Sequence, residues 1–218
     1  MRKNLQRKGY QVIEGKGSYR HLFGGQSIES LPCPTCGLQV QLLLTFDLTD
    51  PIFENLGTAI PNLPLVSCLN CSGCWSTQLY KIEEKRIRNL EQDDEAKWVM
   101  EQEDQLPVPL PEVEVHLMPL SKKGILSKRS SDEKRNEVFD ELGLLYVARL
   151  FGGELTDGEE EEFICRFCKG KMDYIASIGE DATEGELITV VPFLFGEMVL
   201  NFYFCRHCNT IRVEPIAT

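Results

Sequence analysis

Eight of the nine cysteines fall into four pairs of one spacing: Cys33 and Cys36 in CPTC, Cys68 and Cys71 in CLNC, Cys165 and Cys168 in CRFC, Cys205 and Cys208 in CRHC. Two residues between cysteines let a tight turn aim both sulfurs at one ion, and two such turns complete the four thiolates of a closed tetrahedral zinc site. Four turns therefore predict two Zn2+ ions per chain. Three of the turns are followed by a glycine (Gly37, Gly73 and Gly170), where a positive φ would point backbone N–H groups at the sulfurs. One CxxC could be a thioredoxin-like redox pair, but that chemistry does not explain four copies.

Cys74 extends the second pair to CLNCSGC. It reads as a small buried hydrophobe beside Trp75, as a ligand that exchanges with Cys68 or Cys71, or as a nucleophile. No Lys, Arg or His lies within five residues of it to lower its pKa. Of the three histidines, His116 has no pattern around it, His207 sits between two expected ligands, and His21 directly precedes an LFGG sequence. GxSxG, HExxH and phosphate-loop patterns are missing from the sequence.

Positioning these groups falls to a repeated plan. LFGG occurs at Leu22–Gly25 and again at Leu150–Gly153. Each copy is followed by a CxxC, an apolar run (Val40–Phe46 or Met172–Ile178), an acidic or polar stretch and a second apolar run (Leu63–Val66 or Leu200–Phe204). A second CxxC then leads to a closing segment (Gln78–Ile82 or Ile211–Val213). The offset between copies is 128 at LFGG, 132 at the first cysteine pair and 137 at the second, so insertions are small. Cysteines should then pair within copies: Cys33, Cys36, Cys68 and Cys71 on one ion, and Cys165, Cys168, Cys205 and Cys208 on the other. The apolar runs read as buried strands. The fold class expected is α+β and β-rich, two tandem β repeats related by a pseudo-twofold and each stapled by its four-cysteine site.

The boundaries follow as a first repeat over 1–86, an acidic, proline-containing connector over 87–129 and a second repeat over 130–218. Within the connector, Glu83–Met100 reads as a solvated helix or an exposed loop. Leu106–Pro111 alternates proline and must be a linker or an edge strand. Ser130-Ser131-Asp132-Glu133 is a helix start, with Val138, Phe139 and Leu142 on one face and Gly143 at the end. A strand over Leu144–Phe151 should lead into the second LFGG.

Composition bounds the partners. With 34 acidic residues against 23 Lys and Arg, the chain carries a formal charge of -11, which predicts no nucleic-acid partner and favours a basic protein client. The acidic clusters Asp93–Glu95, Glu101–Asp104 and Glu159–Glu162 are either solvated faces or a docking surface. The N-terminus has positive charges but no apolar run after them, and Ile188–Cys205 is too interrupted to span a bilayer. These features predict a cytoplasmic protein with reduced thiols and no membrane partner.

The two Gly-Gly turns, the CxxC pairs and the run Leu42-Leu43-Leu44-Thr45-Phe46-Asp47 resemble the bacterial YwqG-like family of unknown function. More distantly they resemble the eukaryotic programmed cell death 2 proteins. The resemblance covers Leu22–Glu83 and, less closely, Leu150–Pro215. It implies an internally duplicated β-rich fold and, through the eukaryotic proteins, a chaperone of ribosomal proteins. The first expectation for function is a non-catalytic protein-binding module, as chaperone, adaptor or immunity protein, using an acidic surface or the cleft between repeats. The alternative is an enzyme with a site near the two LFGG turns, using His21, Arg20, Arg149 and Cys74.

Overall fold

In the computed structural model, the described residues are 8–30, 32–84, 86–92, 95, 97–127, 129–155, 162–179 and 198–217. The acids at 93, 94 and 159–161, the expected loop with Glu180, Asp181, Glu184 and Glu186, and the apolar residues 188–197 lie outside them.

Twelve strands make one sheet. In chain order they are β1 (Gly9–Glu14), β2 (His21–Phe23), β3 (Glu29–Ser30), β4 (Gln41–Asp47), β5 (Asn62–Ser67) and β6 (Gln78–Ile82). There follow β7 (Arg86–Gln92), β8 (Val113–Pro119), β9 (Ala148–Phe151), β10 (Asp173–Ile178), β11 (Met198–Cys205) and β12 (Thr210–Ala217). One α-helix, α1 (Asp132–Glu141), precedes β9. The strands lie side by side in the order β3-β7-β6-β12-β11-β10-β9-β1-β8-β2-β4-β5.

The apolar runs form strands because both of their faces are covered: six of seven residues of β4 and all eight of β11 are buried. Continuous apolar sequence is what a strand between two covering layers requires. One core cluster runs from Val12 and Phe23 through Leu44 and Phe46 to Phe202, Phe204 and Ile211, so both halves of the chain share it.

The ladders of the two halves match residue for residue. Leu42 lies opposite Val66, Leu44 opposite Leu65 and Phe46 opposite Leu63, with a register shift at Leu43. Tyr174 lies opposite Tyr203, Ala176 opposite Phe202 and Ile178 opposite Leu200, with the shift at Ile175. The first members differ by 132 and the second by 137, the offsets of the two cysteine pairs. At the centre of the sheet the halves exchange strands. β1 pairs with β9, β8 pairs with β2, and β1 and β8 pair antiparallel with each other.

Three expectations need correction. Glu83–Met100 contains β7, where a solvated helix or an exposed loop was expected, because only Ile87 of Arg86–Leu90 is buried and the backbone finds its partners in β6. The stretch expected as a connector supplies β7 and the central β8, while 106–112 carries no strand, in keeping with the linker reading of Leu106–Pro111. The strand before the second LFGG begins at Ala148, four residues late, since Leu144 and Leu145 are solvent-exposed. The helix start is as expected. The Ser131 side chain accepts the Lys134 N–H at 3.3 Å, Asp132 and Glu133 occupy the first turn, and Gly143 follows the helix with φ +93°.

Candidate metal centres

Each half gathers its own four sulfurs. Cys33, Cys36, Cys68 and Cys71 form one group and Cys165, Cys168, Cys205 and Cys208 the other, all sulfurs within a group lying within 4.8 Å. The hairpin before β4 holds the first pair. The Cys33 N–H donates to Leu38 O, the Gly37 N–H to Cys33 O, and Pro32 bridges Gln39. The hairpin before β10 repeats this with Cys165 N–H to Gly170 O, Lys169 N–H to Cys165 O and an Ile164–Lys171 bridge. β5 and β11 deliver the second pairs from their C-terminal ends.

Sulfur separations test what could sit between them. Across the first group, Cys33–Cys71 is 3.7 Å, Cys36–Cys68 3.5 Å and Cys68–Cys71 3.4 Å. Across the second, Cys165–Cys208 is 3.5 Å and Cys168–Cys205 3.3 Å. Disulfide sulfurs would be about 2.05 Å apart, whereas thiolates about 2.3 Å from a tetrahedral ion lie about 3.8 Å from one another. Both groups therefore fit one four-coordinate metal ion each.

Crowding four acids splits their ionisation. Contact with Cys68 and Cys71 holds the Cys33 thiol far below its ordinary pKa, while contact with Cys33 pushes Cys68 and Cys71 up. In the second group the Gly170 N–H, 3.4 Å from its sulfur, lowers Cys168 to about 7, and burial raises Cys205 and Cys208. Full ionisation of either group calls for a multivalent cation among the sulfurs.

The glycines after the turns do different work from that expected. Only Gly37 has a positive φ, +74°, and its counterpart in the second half is Lys169 at +59°. Gly73 and Gly170 do aim N–H groups at Cys71 and Cys168, each at 3.4 Å, and each has side chains close to where a Cβ would stand. A Cβ on Gly73 would lie 2.3 Å from the Gln92 amide nitrogen, and one on Gly170 2.9 Å from the His207 ring. Sequence reasoning missed Gln92, whose side-chain oxygen is 3.6 Å from the Cys33 sulfur and whose amide donates to Thr35. It also missed Thr210, 3.1 Å from the Cys208 sulfur. Gln92 reaches the site from β7, across the sheet and far along the chain, so no local pattern marks it.

The groups expected of an enzyme do not converge. His21 on β2 and Arg149 on β9 are separated by β8 and β1. His21 is buried, takes the Asp47 N–H on Nδ1 at 3.1 Å and donates from Nε2 to Asp50 at 3.2 Å, and burial pushes its pKa down, so it is a neutral imidazole tying down a loop. Arg149, also buried, donates to Gly124 O and Gly152 O. Arg20 pairs with Glu112 on the surface. Cys74 is buried in the 3-10 turn Ser72–Trp75, outside the sulfur tetrad.

No family model, curated protein or solved structure matches this chain. The resemblance noted above thus rests on its motifs alone. Among the described residues no helix is long and apolar enough to cross a membrane. A groove of about 700 Å3 opens where the two ends of the strand order, Glu29 of β3 and Asn62 and Pro64 of β5, face each other. Its ionisable side chains are the carboxylates Glu29, Glu83 and Glu84, and Glu83 is held by Arg86 and Arg88.

Proposed function

We propose that this chain is a non-catalytic, cytosolic protein-binding module built of two duplicated β repeats, each closed by one Zn2+. The observation that carries the reading is the ligand count. Each tetrad supplies four thiolates, so neither site would leave a position for water or substrate, and four thiolates make zinc a poor Lewis acid. Zinc is favoured over other ions because an all-thiolate tetrahedron suits it and a reducing cytosol supplies it to CxxC turns. Duplication is supported by the matched ladders, the matched hairpins and the glycine pairs, which have φ of +67° and +80° in one LFGG and +73° and +89° in the other. The exchange of β1 and β8 about an antiparallel pair is what a pseudo-twofold axis between them would produce. The client is a protein of basic character, for which the acid excess of the chain provides long-range attraction.

Cadmium exchange tests the reading. Replacing zinc with cadmium should leave the fold and client binding intact, with no metal-dependent hydrolysis of ester, amide or phosphate substrates. A coordinated water on either ion, or hydrolysis that disappears on chelation while the fold survives, would reverse it.

A further inference from the structure

The two sulfur groups differ in how far they stand from water. In the first, Cys33, Cys68 and Cys71 are buried and Cys36 is half-buried, and all four belong to or pack against the core that both halves share. The Gln92 side chain lies against the Cys33 sulfur and ties down Thr35 of the same turn. Over the other turn, the Ser72 N–H donates to Trp98 O at 3.0 Å and the Met100 N–H to Asn70 O at 3.0 Å, which fastens 98–100 across it.

The second group is built differently. Cys165 and Cys205 sit with Met172 and Tyr203 in a small cluster of their own, outside the shared core. Cys208 is half-buried, and Cys168 is the one exposed cysteine among the nine. Its hairpin stands in water around it, with Phe167 53 % and Ile164 52 % exposed. A metal-bound cysteine remains a thiolate, the form that oxidants attack, so reaction is decided by which thiolate an oxidant can reach. The Cys205 sulfur lies 3.3 Å from that of Cys168, against about 2.05 Å in a disulfide, so a second thiolate is at hand to complete the oxidation.

We propose that Cys168 is the site at which a peroxide oxidises this protein, and that Cys205 then closes a disulfide with it and opens the second metal centre. The Cys168 thiolate attacks one oxygen of hydrogen peroxide, the O–O bond breaks, and the other oxygen leaves as hydroxide. This leaves a sulfenic acid at Cys168. The Cys205 thiolate attacks that sulfur; the S–S bond forms, the S–O bond breaks and a second hydroxide leaves. The two thiolates have given up two electrons, and the peroxide has taken both. Cys165 and Cys208 alone then remain as thiolates, too few to hold the ion against a chelator. The first centre, enclosed by the core, Gln92 and 98–100, reacts later. The proposal rests on the reading of both groups as zinc centres.

The test uses the full zinc-loaded chain. Native mass spectrometry counts its ions, hydrogen peroxide is added in rising doses beside a chromogenic zinc chelator, and disulfides are mapped by digestion after free thiols are blocked. The chain should begin with two ions and release one at a dose about tenfold or more below that needed for the other. The digest at the lower dose should contain Cys168 joined to Cys205, with the thiols of Cys33, Cys36, Cys68 and Cys71 intact. Reductant and added zinc should restore the second ion. A brief pulse of N-ethylmaleimide, which needs no oxidation, should label Cys168 ahead of the other eight cysteines. Fewer than two ions before peroxide would overturn the zinc reading and this proposal with it. Release of both ions at one dose, labelling of a first-centre cysteine ahead of Cys168, or a disulfide that excludes Cys168 would overturn the proposal and leave that reading standing. Cys168 joined to Cys165 or Cys208 would overturn the part given to Cys205.

Discussion

His21 and Arg149 stand immediately before the two LFGG sequences, and each is spent on fastening a neighbouring loop. His21 binds the backbone at Asp47 and the Asp50 carboxylate, and Arg149 binds the carbonyls of Gly124 and Gly152. Because Nδ1 of His21 already accepts an N–H, protonation would break that bond inside a buried site, and its pKa lies below the ordinary value. The unfolded chain binds a proton there near pH 6.5, the folded chain only at lower pH. Its contribution is therefore complete above about pH 6.5 and is lost as the pH falls toward the folded value. His21→Gln should destabilise by about 1–3 kcal/mol at pH 7.5 and by less at pH 5.5. Thermal melts of both proteins at the two pH values check this, and parallel losses would contradict it. Tyr146 is the reverse case: its hydroxyl is buried with no partner among the described residues, and burial raises its pKa to about 12. Tyr146→Phe should therefore leave the melting temperature unchanged or raise it, where a clear fall would reveal a hydrogen bond.

At the scale of elements, the LFGG turns depend on having no Cβ. At Gly24 (φ +67°) a Cβ would fall 2.1 Å from Pro111 O, and at Gly153 (φ +89°) 2.4 Å from Leu126 O. Gly24→Ala or Gly153→Ala should each cost about 3 kcal/mol or more in urea unfolding, combining a left-handed backbone with overlap against a carbonyl. A cost below about 1 kcal/mol would show that the turns relax. Much of this layer was legible. The runs Val40–Phe46 and Leu63–Val66 could be read as strands from their mainly apolar sequence and Gln78–Ile82 from its place after the second CxxC, and the cysteine spacing marked the sulfur groups before any fold was known. β7 was not legible, because Arg86-Ile87-Arg88-Asn89-Leu90 has helix-like charge and becomes a strand only through its partners β6 and β3. β8 does alternate Val113, Val115 and Leu117 with Glu114 and His116. Neighbouring prolines and acids hid that pattern, and its place between β1 and β2 is a long-range fact. Gln92 belongs to the first sulfur group for the same long-range reason.

Across the whole molecule, the halves are joined by β6 against β12, by β1 against β9 and by one shared core. The Lys81 ammonium donates to the carbonyl of Cys208, and Arg166 of the second cysteine hairpin pairs with Glu91 of β7. Damage to one metal centre should therefore reach both halves. Cys165→Ser should lower the melting temperature by about 10 °C or more and keep a single calorimetric transition. Two separated transitions, with the first half surviving, would show that the repeats fold independently.

The measurement that bears most directly on the central claim is native mass spectrometry of the full chain purified without chelator, together with the Cys33→Ser and Cys165→Ser variants. Two closed tetrads predict two zinc ions on the unaltered chain and one retained ion in whichever variant stays folded. One ion or none on the unaltered chain, or two ions undiminished in both variants, would contradict it.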